Sequence, residues 1–237
     1  MSARGYIFDY GGTLDTKGNH WGKVIWHAYE RIGIPVNEEQ YREAYVHAER
    51  TLGRERIIMP HFTFRDTLST KLNIQLDYLI DRNMMRVSNT ERVRCHAELL
   101  DLLYSATKDI IVESSEVLTQ IAKECKMVLV SNFYGNIETV LREFGLEHLF
   151  VSVIESAVVG IRKPDARIFA LGVDAIRKAY GTDDVECIVV GDSMDKDIIP
   201  AKSIGCTTVW YEGEQWKENE TDTSKADKII HNIKELL

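Results

Sequence analysis

Five short apolar runs punctuate the chain at Tyr6–Phe8, Met127–Val130, Phe150–Ile154, Cys187–Val190 and Thr207–Tyr211. Each is too short for a helix, is rich in β-branched residues, and is bounded by Gly, Asp, Ser or Asn. Continuous apolar runs of this kind suit strands covered on both faces, as in a parallel sheet. Between the later runs the apolar positions change to helical spacing. Val117, Ile121 and Ala122 lead into the second run, and Ile137, Val140, Leu141 and Phe144 follow it, with Gly145 as a stop signal. Ile168, Phe169, Leu171, Ala175 and Ile176 follow the third. Strands alternating with helices of that length predict βαβ units with right-handed crossovers. Ala226–Ile230 and Ile233–Leu237 predict a last short strand and helix, with a polar, solvated loop before them at Glu212–Ser224.

From about Lys17 to Ala106 the rhythm breaks, and no segment reads as a buried strand. Trp21, Val24, Ile25, Ala28 and Ile32 repeat at helical spacing, and Gly33 with Pro35 ends that helix. Asn37 and Gln40 form a capping pair for a second helix carrying Tyr41, Ala44, Tyr45, Ala48 and Leu52. Further apolar helical faces follow in Phe64–Leu79 and Val93–Leu103. A helical block is therefore inserted between the first strand and the rest of an α/β domain.

Composition narrows the function classes. The 237 residues suffice for one large domain, or one domain with a second inserted in it. Hydrophobic residues make up 44% and charged residues 28%, the balance of a globular protein. A net charge of -8, without a Lys/Arg run, argues against a nucleic-acid partner, since phosphate backbones are held by clustered positive charge. No apolar stretch approaches the roughly 20 residues needed to cross a bilayer, so no membrane partner is expected. Met1–Tyr6 lacks an apolar signal core. Cys95, Cys125, Cys187 and Cys206 show no metal-ligand spacing and are expected as buried, reduced thiols, consistent with a cytoplasmic protein.

The chemistry gathers after the strands, where open parallel sheets bind ligands. Asp9-Tyr-Gly-Gly-Thr-Leu-Asp follows the first strand and Ser131-Asn132 the second. Gly160-Ile-Arg-Lys163-Pro-Asp follows the third, and Gly191-Asp192-Ser-Met-Asp195-Lys-Asp197 the fourth. Acidic groups converging on one rim repel each other, and a divalent cation with oxygen ligands relieves that repulsion. Mg²⁺ fits, because it favours carboxylates together with substrate phosphate oxygens. Taken singly the segments have plain uses too: Ser131-Asn132 and Lys163-Pro-Asp suit helix starts, and Asp195 suits a helix cap.

These four segments, in this order and around a helical insertion, resemble the motifs of the haloacid dehalogenase superfamily over nearly the whole chain. The resemblance implies a three-layer, doubly wound, Rossmann-like α/β core in residues 1–15 and 107–237, with an inserted α-helical cap of the family's first type in residues 16–106. It implies a hydrolase, with Asp9 as the nucleophile that forms an aspartyl-phosphate. Ser131 and the backbone amide of Asn132 would hold the transferring phosphoryl group, and Lys163 would neutralise charge beside it. Mg²⁺ would sit on Asp9, the Gly11 carbonyl and Asp192, with Asp197 orienting its waters or Lys163. The expected partner is a small phosphorylated metabolite.

One position departs from the pattern. The family's phosphatases carry a second aspartate two residues after the nucleophile, which protonates the leaving alkoxide and later activates water; here that residue is Gly11. A positioned general acid contributes roughly 10²–10⁴-fold, about 3–5 kcal/mol of barrier. Its loss weighs fully on an alkoxide leaving group and little on an aryl or acyl phosphate. Three accounts are open: turnover restricted to good leaving groups, replacement of the acid by a cap residue such as Lys17, His20, His27 or His61, or a binding or regulatory protein without turnover. Dehalogenase chemistry is disfavoured by the retained Asp192 and Asp197. Phosphonate cleavage through a Schiff-base Lys17 or Lys23 has no mark in the sequence context.

Overall fold

A computed structural model describes residues 3–216 and 222–237. In chain order the elements are β1 (Ala3–Phe8), α1 (Trp21–Ile32), α2 (Glu38–Arg54), α3 (Phe64–Asp81), α4 (Asn89–Ile121), β2 (Lys126–Ser131), α5 (Ile137–Glu143) and β3 (Ser152–Glu155). They continue with α6 (Ser156–Val159), α7 (Arg167–Tyr180), β4 (Val185–Gly191), α8 (Ile199–Ser203), β5 (Thr207–Tyr211) and β6 (Lys228–Ile230). All strand pairs are parallel, in the order β3-β2-β1-β4-β5-β6. The order reverses beside β1, so the loops after β1 and β4 open side by side at the carboxyl edge, where such sheets bind ligands.

Every expected strand is present; β5 has the expected ends and the others differ by one to three residues at one or both ends. The tail ends in a single 3₁₀ turn, Ile233–Leu236, rather than a helix. Of the expected polar loop, residues 212–216 and 222 carry no regular structure, Thr223–Lys225 forms a 3₁₀ turn, and 217–221 lie outside the described residues. The central strands are apolar on both sides for the anticipated reason. One face packs with Ile168, Phe169 and Ile176 of α7, and the other joins the larger core that continues into α1, α3 and α4.

The helical block shows its capping logic plainly. Asn37 and Gln40 exchange the two hydrogen bonds of a capping box at α2, and Gly33 closes α1 at φ 71°. Two further boxes, Thr63 with Asp66 and Ser88 with Glu91, start α3 and α4. The segments Val93–Leu103 and Val117–Ala122, read separately in the sequence, belong to one 33-residue helix. No Gly or Pro interrupts residues 89–121, so the polar stretch after Ala106 continues as a solvated helical face. The boundary expected between residues 106 and 107 falls inside this helix. Its later half fastens the loop after β1, since Ser114 Oγ donates to the Leu14 carbonyl at 2.8 Å.

Helix α7 lies close on β1. A Cβ at Gly5 would stand 2.4 Å from Ile176 Cγ2, a distance no packed pair tolerates. Gly5→Ala is expected to lower the unfolding free energy by about 1–3 kcal/mol through overpacking, measured by urea denaturation. The loss should shrink in an Ile176→Ala background; simple additivity of the two losses would show that this contact is not the cause.

Candidate active site

Strand β1 delivers Asp9 to the rim, and the backbone then makes one tight turn, with the Thr13 and Leu14 N–H groups donating to the Tyr10 carbonyl. Gly12 occupies φ 102°, and a Cβ there would lie 2.5 Å from the Asp192 carboxyl. The turn needs glycine for both its conformation and the approach of that acid. Thr13 Oγ1 lies 3.1 Å from both Asp9 Oδ2 and Asp192 Oδ1, and it accepts from the Asp192 N–H at 3.1 Å. The acids that end β1 and follow β4 therefore stand side by side.

Lys163 comes from the loop between α6 and α7, and its ammonium is buried between two carboxylates. Nζ donates to Asp9 Oδ1 at 2.5 Å and to Asp197 Oδ1 at 2.7 Å. Burial opposes the ammonium charge, but Asp197 and Asp9 more than offset it and hold the lysine above its ordinary pKa. Asp197 is brought back toward the rim by a π-helical turn, Met194–Ile198, and its Oδ2 accepts from the Ser193 N–H at 3.0 Å. Asn132 acts through its side chain: Oδ1 accepts from the Lys163 N–H at 2.9 Å and Nδ2 donates to the Lys163 carbonyl at 3.1 Å. Ser131 ends β2 and lines the same cavity as Asp9, Lys163, Asp192 and Asp197.

Oxygens of Asp9, Asp192 and Asp197 lie within 4.8 Å of one another, all three buried. Fully ionised, these carboxylates would outnumber the single lysine among them. Burial, then Asp9 and Asp197, push Asp192 well above the ordinary carboxylate pKa. Burial likewise raises Asp197, against the pull of Lys163. A hard divalent cation would cancel this excess, and an all-oxygen donor set suits Mg²⁺.

The cavity over these residues, about 150 Å³, has floor groups from the sheet and walls from the helical block. His20, Trp21, Tyr45, Phe64, Phe133 and Tyr134 line it with rings. Lys71 and Glu49 reach it as an ion pair at 2.6 Å, and Tyr134 Oη donates to Glu49 Oε2 at 3.1 Å. Of the block residues considered as proton carriers, only His20 lines the cavity. Its Nδ1 accepts from the Gly22 N–H, and burial, aided by Lys196, lowers its pKa to about 4, so it stays neutral. Lys17 pairs with Glu113, His27 is bonded to Glu30 and Glu214, and His61 is absent from the lining. Lys23 reaches Glu38 and stands over the Trp216 ring, also outside this lining.

Asp15 and Trp21 also line the cavity, and neither is marked as a site residue by the sequence pattern. Asp15 is 1% exposed; its Oδ1 accepts from the Gly12 N–H at 2.7 Å and its Oδ2 from Trp21 Nε1 at 2.9 Å. Burial pushes its carboxyl up to about 7 against those two hydrogen bonds, with a further raising contribution from Asp9. The signal was the acid closing the Asp9–Asp15 segment, which reads as an ordinary loop residue until its burial is known. Trp21 read only as an apolar helix position.

A family model of haloacid dehalogenase-like hydrolases matches residues 3–205. The chain is 35% identical over 97 residues to the glyceraldehyde 3-phosphate phosphatase of Methanocaldococcus jannaschii, a match covering 41% of this chain and 40% of that protein. It thus spans about two fifths of the length of the curated relatives it first matches. Among solved structures, a dehalogenase with an intermediate complex aligns over 99% of this chain and 96% of its own, at TM-score 0.61 and 16% identity. The Bacillus subtilis protein YfnB, solved with magnesium, aligns over 100% and 97% at TM-score 0.57 and 16% identity. At those identities the likeness is one of fold.

Removing the buried ammonium would leave Asp9 and Asp197 without their cation. In chelator at pH 8, Lys163→Met is expected to lower the unfolding free energy by about 3–5 kcal/mol, read from the urea midpoint. An unchanged midpoint would show that the ion pairs do not support the fold.

Proposed function

Because the chain belongs to the haloacid dehalogenase-like hydrolases, we propose that it is a Mg²⁺-dependent phosphatase acting on a small phosphorylated metabolite. The observation that carries this reading is the meeting of Asp9, Asp192 and Asp197 within 4.8 Å at the floor of one cavity, with the Lys163 ammonium between two of them. Such a floor attracts a cation and then an anion, and holds one carboxylate ready for attack.

In this reading Asp9 attacks phosphorus and carries the phosphoryl group as an aspartyl-phosphate. Asp9, Asp192 and the Gly11 carbonyl would hold Mg²⁺, and the ion would supply positive charge toward the phosphoryl oxygens. Asp197 orients the metal's waters or Lys163, whose ammonium donates to its Oδ1 at 2.7 Å. Ser131 and the Asn132 amide bind the phosphoryl group from the end of β2, and Asn132 also fixes the Lys163 backbone through its side chain. Selection among phosphorylated metabolites falls to the helical block, residues 16–106, whose Tyr45, Glu49, Phe64 and Lys71 face the same cavity. No helix among the described residues is long and apolar enough to cross a membrane, and a cytoplasmic location agrees with the free cysteines.

Asp9→Asn is expected to abolish turnover across a panel of aryl, acyl and alkyl phosphates, and chelation of divalent cations to abolish it in the wild-type protein. Phosphate release is the measurement, and undiminished release by Asp9→Asn would remove the reading. Halide release from a 2-haloacid without metal would replace it by dehalogenase chemistry.

A further inference from the structure

An aspartyl-phosphate route has two proton problems. The leaving alkoxide must gain a proton in the first step, and the attacking water must lose one in the second. Gly11 has no side chain to serve either. The direction its side chain would take is nevertheless defined. A Cβ built on Gly11 would face the Trp21 indole, 3.9 Å from both Cδ1 and Nε1, with nothing nearer. That indole N–H is already bonded to Asp15 Oδ2 at 2.9 Å. The Asp15 carboxyl, carried from four residues further along the turn, therefore hydrogen-bonds the ring that position 11 points at. It lines the same cavity as Asp9.

We propose that Asp15 is the general acid and base of this site, doing from position 15 the proton transfers that Gly11 cannot; the inference rests on the aspartyl-phosphate reading above. In the first step an Asp9 oxygen bonds to phosphorus, the ester P–O bond breaks, and the Asp15 proton passes to the departing alkoxide, giving the free alcohol. In the second, the Asp15 carboxylate takes a proton from water as the water oxygen bonds to phosphorus. The Asp9–phosphorus bond breaks, inorganic phosphate leaves, and Asp15 is again protonated.

The surroundings suit this work. The two donors lock the carboxyl in place through separate oxygens, so the group is positioned before substrate arrives. Burial favours the protonated carboxyl that the first step needs. The other titratable groups on the cavity wall are less apt. Glu49 is held below its ordinary value with Lys71 beside it, and burial drives Tyr45 and Tyr134 above theirs. His20, its pKa lowered to about 4, carries no acidic proton to give near neutral pH.

The test uses p-nitrophenyl phosphate, whose leaving group needs no proton, and the alkyl phosphate that the wild-type protein cleaves fastest. Asp15→Asn is expected to lose about 10²–10⁴-fold in kcat/KM on the alkyl ester. On the aryl ester it should release nitrophenolate in a burst stoichiometric with enzyme, followed by slow turnover, because only the second step then lacks its base. Adding Gly11→Asp to that variant is expected to recover alkyl turnover. Equal losses on both esters without a burst would mean that Asp15 only braces the turn, and would overturn the proposal while leaving Asp9 chemistry intact. Should Asp15→Asn fail to fold, the wild-type protein decides alone. A shallow dependence of kcat/KM on leaving-group pKa supports the acid, and a steep one, or cleavage confined to aryl and acyl esters, overturns it. No cleavage of any phosphate would overturn both this proposal and the reading beneath it.

Discussion

Three carboxylates and one ammonium are packed at the edge of a parallel sheet, and their mutual charge is the constraint around which the rest is arranged. Lys163 reaches Asp9 and Asp197 through contacts of 2.5 and 2.7 Å, but Asp192 keeps its burial and its like-charged neighbours without a lysine of its own. Taking such groups out of water is costly unless each finds a partner. The fold answers with short, specific fastenings. Thr13 bridges Asp9 and Asp192, the Ser193 amide holds Asp197, and Asn132 staples the backbone that carries Lys163. What remains unbalanced is negative charge facing a cavity, which is a demand for a cation.

Glycine placement serves the same constraint. Gly12 lets the turn after β1 pass against the Asp192 carboxyl, and Gly191 leaves room for Asp197, whose Cβ would lie 2.4 Å from a side chain there. The acids thus approach each other across backbone rather than across side chains. Gly11 differs from both, since a Cβ there would meet only the Trp21 ring at ordinary contact distance. Its lack of a side chain answers no steric demand, so the chemical consequence of that lack matters more.

Through Trp21 the helical block takes part in the site and does more than cover it. The first residue of α1 bonds Asp15, Glu49 and Lys71 face the floor from α2 and α3, and Tyr134 on the loop after β2 bonds Glu49 in return. Asn136 on the same loop donates to the Phe62 carbonyl and to Thr67 Oγ1. The continuous α4 and a shared apolar core make the block and sheet one packed unit, which holds these polar contacts in register.

Local patterning was enough to place the strands, the capping of α2, the stop at Gly33, and the four segments bearing Asp9, Ser131, Lys163 and Asp192. Each of these follows from short-range chemistry: apolar runs, caps and turns act within a few residues. The single helix from Asn89 to Ile121 was less legible, because its polar middle resembles a loop until packing holds it. Asp15 was illegible as a chemical group, since burial raises its proton affinity against the hydrogen bond from the Trp21 indole, and both come from segments that meet only in the folded chain. The same holds for the Asn132 side chain against Lys163, 31 residues apart, and for the exclusion of Lys17, His27 and His61 from the cavity. Residue type and spacing decide which groups are available; desolvation and long-range contact, which depend on three-dimensional distance, decide which of them face one another and in what charge state.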